Sequence, residues 1–117
     1  MRKNIIKEKS FDFALRIVNL YKFLITEKKE FVLSKQLLRS GTSVGAMVRE
    51  SEHAESKADF KHKLGIAQKE INEAIYWLEL LNKTDFLSRS QFVSIHEDGI
   101  EILKILTSIL KTVKNNG

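Results

Sequence analysis

The chain has 117 residues, 43% of them hydrophobic and 30% charged, enough for one domain around one core. With no proline and only five glycines it lacks the turn punctuation of sandwiches and barrels, and with no cysteine it has no disulfide framework, thiolate metal site or thiol nucleophile. The formal net charge of +5 is uneven, with ten basic against four acidic residues in 1–39, five against seven in 40–79 and five against four in 80–117. A basic N-terminal third suits either a phosphate-bearing or acidic partner or a plain solvated surface.

The opening MRKNIIKEKS is basic but carries only Ile5 and Ile6 where a secretory leader needs a longer apolar run. The expectation is a cytoplasmic chain. Apolar spacing then predicts four helices, over 10–28, 34–54, 58–83 and 89–114. The first, with Ser10 as its expected cap, carries Phe13, Ile17, Leu20 and Leu24 beside a second row of Ala14, Val18, Tyr21 and Ile25. The second has a seam of Leu37, Gly41, Val44, Val48 and Ser51, small where the others are large, so its backbone is expected to approach a neighbour closely, inside the bundle or in another subunit. The third repeats a heptad through Phe60, Leu64, Ala67, Ile71, Ala74, Leu78 and Leu81, and the fourth through Phe92, Ile95, Gly99, Ile102, Leu106, Ile109 and Val113. Similar lengths and short connections give an all-α fold, an antiparallel up-down-up-down four-helix bundle over 1–117 as a single domain. The apolar end of the last helix is broken by Glu101, Lys104 and Lys111 and is too short to span a bilayer, so no membrane partner is expected.

Catalytic constellations are incomplete. Glu50 and His53 make one Glu-x-x-His, but a two-metal carboxylate site needs a second such motif and a Glu from each remaining helix, and neither Asp59 with His62 nor Val93 with His96 supplies it. Gly41 to Gly45 spell Gly-x-Ser-x-Gly, a motif that works only at a strand-to-helix turn, and no strand precedes it. No phosphate-cradling glycine loop is present. The sequence therefore reads as a non-enzyme with no cofactor and no metal.

A second row on the third helix, Ile66, Glu70, Glu73 and Trp77, lies beside the seam, and Arg39 or Arg49 is the expected partner for its carboxylates because buried charge is costly unless paired. Such a polar layer would fix register or an oligomer interface. Tyr76 and Trp77 point in different directions, and their expected role is structural rather than base stacking.

The run LLRSGTSVGAMVRESEHAESKADFKHKLGIAQKEINEAIYWLELL, through Arg39, Ser40, Ser43, Val44, Gly45, Ala46, Arg49 and Glu50, then Asp59, Phe60, Glu70, Glu73 and Tyr76 to Leu78, resembles the bacterial four-helix-bundle family of large ribosomal RNA intervening-sequence proteins. The run covers rather less than half of the chain, and Met47 departs from it where a polar Asn is expected. The resemblance implies a homo-oligomer, with a ring of five subunits as the associated arrangement. It also implies kinship with the accessory protein of diversity-generating retroelements, a basic pentamer that binds nucleic acid and a reverse transcriptase.

A ring repeats each subunit's charge into a multivalent surface. The leading expectation is thus a non-enzymatic, homo-oligomeric protein that binds RNA or DNA through phosphate contacts from Arg2, Lys3, Lys7, Lys9, Arg16 and Lys22, without reading bases. The alternative is an adaptor ring that binds a protein partner such as a reverse transcriptase, without nucleic acid. Gly41, Ser43, Gly45, Arg49, Glu50, His53, Asp59, Glu70, Glu73 and Trp77 form the expected structural or interface set.

Overall fold

A computed structural model describes residues 4–115, which form four α-helices: α1 (Ile5–Thr26), α2 (Leu33–Ser51), α3 (Lys57–Lys83) and α4 (Arg89–Asn115). Helix α1 starts five residues before the expected cap. Its N-cap is Asn4, whose side chain accepts from the Lys7 amide, and the extra turn brings Ile6 into the core at 8% exposure. Ser10, expected as the cap, is instead a buried mid-helix residue whose hydroxyl donates to the Lys7 carbonyl.

Helix α2 is capped from outside. The carboxylate of Glu30 accepts from the amides of Val32, Leu33 and Ser34 at 3.1, 3.0 and 2.6 Å, and the Ser34 hydroxyl returns a bond to the Glu30 carbonyl. Burial pushes the Glu30 carboxyl up, but these three amides together outweigh it and hold the group below its ordinary value. Lys29, with φ of 54°, takes the left-handed turn that brings the chain there. The helix ends at Ser51, three residues earlier than expected, because the amides of Glu52, His53 and Ala54 reach back three residues rather than four and tighten the chain into a turn. At α3 the Ser56 hydroxyl accepts from the Asp59 amide and the Asp59 carboxylate accepts from the Glu55 amide, a reciprocal cap that explains the Asp-Phe start. Asn82 binds the Leu87 carbonyl across the last turn, and Ser88 with Gln91 exchange side-chain and amide bonds at the start of α4.

Every neighbouring pair runs antiparallel. Gly41 and Gly45 of α2 meet Ile17 and Ser10 of α1, Gln68 and Glu79 of α3 bond Thr107 and His96 of α4, and Lys9 and Arg16 of α1 bond Glu101 and Asp98 of α4. Each helix packs on two neighbours and not across the diagonal, and the α1–α4 joint is the thinnest of the four. The up-down-up-down arrangement is therefore that of the sequence reading. Its core is Phe13, Ile17, Leu24, Leu37, Val44, Leu64, Ile71, Leu78, Leu81, Ile102 and Leu106, drawn from the seams of all four helices, with Leu87 from the last connection.

The small residues of α2 act inside the subunit. A Cβ on Gly41 would lie 2.7 Å from Ile17 Cγ1, and one on Gly45 would lie 3.2 Å from the backbone carbonyl of Ser10, so α1 and α2 are in backbone contact here. Hydroxyls in the same stretch turn inward on their own helix. Ser40, Thr42, Ser43 and Ser51 donate to carbonyls of the preceding turn, leaving no buried side-chain polar atom of the described residues without a partner.

Candidate nucleic-acid interface

Three of the candidate phosphate contacts on α1 are held in exposed ion pairs: Lys7 with Glu52 at 3.3 Å, Lys9 with Glu101 at 2.9 Å, and Arg16 with Asp98. The hydrogen bond and charge of Glu101 raise the Lys9 ammonium above its ordinary pKa. Lys22 is exposed and makes no ion pair among the described residues, whereas Arg2 and Lys3 lie outside them.

Antiparallel packing gathers a different basic set that the linear charge count does not reveal. The C-termini of α1 and α3 and the N-termini of α2 and α4 share one end of the bundle, where Lys22, Lys28, Lys29, Lys35, Lys83 and Arg89 are all exposed without ion partners among the described residues. Four carboxylates share this region. Glu30 is committed to the α2 amides and Glu79 to His96 at 2.8 Å, leaving Glu27 and Asp85. Lys83 and Arg89 stand 44 and 50 residues beyond the basic N-terminal third, so only the topology could have added them.

The interface candidates separate into distinct places. Glu50 pairs with Lys63 at 2.9 Å, and Arg49 lies over the ring of Phe11 at 5.7 Å, a cation–π contact. Neither arginine pairs with the α3 carboxylates as expected. Glu70 instead faces the like charge of Glu73 one turn along α3, and the Trp77 indole donates to Glu73 at 3.3 Å. Burial, with the charge of Glu73, pushes the Glu70 carboxyl up, and Lys69 and Arg39 only partly offset it. Half-buried Ser43 donates to the Arg39 carbonyl, Asp59 belongs to the α3 cap, and exposed His53 sits in the turn beyond α2. No group of three or more His, Asp or Glu among the described residues is placed to hold a metal.

Apolar surface outside the helix seams is concentrated on α1 and the first connection. Ile5, Phe11, Leu15, Phe31 and Val32 are each at least half exposed, and Phe11 and Ala14 face Gly45 and Ala46 across a groove of about 400 Å³. The gap between Phe11 and Leu15, four residues apart, was the available signal, since both fall outside the two apolar rows of the first helix. Among the described residues, no helix is long and apolar enough to cross a membrane.

Residues 2–108 match the model of a family described as 23S rRNA-intervening sequence protein. A solved structure of a protein of unknown function from the S23 ribosomal protein family of Bacteroides thetaiotaomicron is 61% identical, with a TM-score of 0.89, over 91% of this chain and 98% of that one. No curated protein matches the chain.

Proposed function

Because the chain belongs to the 23S rRNA-intervening sequence protein family, we propose that it is a non-enzymatic, homo-oligomeric cytoplasmic protein that binds RNA or DNA through phosphate contacts. The observation that carries this reading is the end of the bundle where six cations stand without ion partners among the described residues while two of the four nearby carboxylates are spent inside the fold. Lys22 belongs to that end. Lys7 and Lys9, at the opposite end of α1, and Arg16 in its middle can supply further phosphate contacts at small cost, because exposed ion pairs are worth about 0–1 kcal/mol and a phosphate can replace the carboxylate. Assembly multiplies the surface, and the Phe11–Ala46 groove with Leu15 beside it supplies apolar area for a contact between copies. A ring of five is the proposed arrangement.

The test is fluorescence anisotropy of labelled structured RNA and duplex DNA across a salt series, with sedimentation measuring the assembly. Log affinity should fall linearly with log salt, and Lys22→Glu or Lys35→Glu should reduce the slope by about one per neutralised phosphate contact. Absence of binding at low salt would refute the reading. The exposed Phe31 and Val32 would then favour the second reading, an adaptor that contacts a protein such as a reverse transcriptase without nucleic acid.

A further inference from the structure

A cleft of about 540 Å³ opens between the C-terminal half of α3 and the first turns of α4. Its two walls are helical rows, with Tyr76, Leu80 and Lys83 on one and Arg89, Phe92, Val93 and His96 on the other, spaced three or four residues apart. Three of these rings give the cleft an aromatic character. Tyr76 is 55% exposed, and the Phe92 and His96 rings lie 4.7 Å apart, tilted by 31°. Glu79 fixes the imidazole of His96 through Nε2 at 2.8 Å, so the one carboxylate lining the cleft is engaged. At the rim Lys83 and Arg89 are exposed and have no ion partner among the described residues.

We propose that this cleft binds a nucleobase together with its phosphate, the base against Tyr76 and Phe92 and the phosphate on Lys83 and Arg89. An exposed tyrosine ring has a face on which a base can stack, and a bare cation pair beside it selects a planar ligand that carries negative charge over a neutral aromatic. The volume falls in the range of small-ligand sites. The inference rests on the phosphate-binding reading above and adds to it a contact with the base, which a duplex keeps hidden in its stack. The ligand has two possible sources, an unpaired nucleotide of a strand or a free mononucleotide.

Trp77 is the only tryptophan and meets Tyr76 edge to face at 4.9 Å, so its emission reports on the cleft. The experiment titrates the full chain with AMP, with ribose 5-phosphate and with a labelled single-stranded RNA, and repeats each with Tyr76→Ala and Arg89→Glu. Both substitutions fall on exposed side chains, and an acidic residue at the start of α4 suits the helix dipole, so the bundle is retained.

Tyr76→Ala should weaken single-strand binding about 10-fold or more while duplex affinity stays within 2-fold. A change in Trp77 emission with AMP but not with ribose 5-phosphate, lost in both variants, identifies a free nucleotide as a ligand. Strand binding that needs Tyr76 without any response to AMP identifies the strand as the source. If wild type binds neither duplex nor strand but responds to AMP through Tyr76, the cleft stands and the nucleic-acid reading falls. If duplex binding is present and Tyr76→Ala binds the strand as wild type does, with no AMP response, the nucleic-acid reading stands and the cleft proposal is overturned.

Discussion

Replacing Glu30 with Ala removes the partner of three α2 amides at once. An ordinary N-cap loss costs about 0.5–2 kcal/mol, but the amides here are not equivalent. Val32 is 70% exposed and Leu33 half-buried, so water can return to them, whereas Ser34 is fully buried and its 2.6 Å bond to the carboxylate has no replacement. Hydrogen bonds to a charged group contribute about 1.5–3 kcal/mol, and a buried amide left alone loses about 1–3, so the whole penalty should be about 2–3 kcal/mol at neutral pH. Urea unfolding followed by helical circular dichroism, at fixed protein concentration, measures it. The pH dependence has a definite sign. Glu30 is held below its ordinary carboxyl value, so its contribution is complete above the unfolded pKa and is lost as pH falls through the folded one. The gap between wild type and Glu30→Ala should therefore narrow in acid. A penalty under about 0.5 kcal/mol at pH 7, within the range of an ordinary surface change, or one that stays constant down to acid pH, would refute the reasoning.

The glycines should divide by surroundings. Gly65→Ala meets nothing within 4 Å and should stabilise by about 0.8–1.0 kcal/mol, while Gly45→Ala presses a Cβ on the Ser10 carbonyl and should destabilise by about 1–3, both read from unfolding midpoints. Glu70→Gln should stabilise at pH 7 by about 0.2–0.5 kcal/mol, the usual cost of like charges one helical turn apart. The Glu70 carboxyl is raised in the fold, so its penalty is present at neutral pH and disappears below the ordinary carboxyl range, where melting temperatures of the two proteins should converge.

The seams of the helices could be read directly, since a period near 3.5 places Leu64, Ala67, Ile71, Leu78, Ile95, Ile102 and Leu106 on faces that prove buried. The ends were less legible because their caps are not where a local rule looks for them. Glu30 caps α2 from two residues before Val32, and Asn4 outcompetes Ser10 because Ile6 gains a place in the core. The small stretch of α2 could be recognised as a close approach, but which helix it approaches is tertiary information, supplied by Ile17 and the Ser10 carbonyl. Charge was legible only along the chain. Lys83 and Arg89 join Lys28 and Lys35 through the alternation of helix directions, and the same packing places Asp98 and Glu101 against Arg16 and Lys9.

Three of the four helix joints are closed by a short covalent connection, and the fourth, between α1 and α4, is not. Lys9 reaches Glu101 over 92 positions of chain, so this joint carries the largest loop-closure cost of the four and has two exposed charge pairs among its fastenings. Parting it breaks no connection and leaves α1–α2–α3 or α2–α3–α4 still in sequence. The thin seam is thus the joint that chain connectivity does least to hold shut.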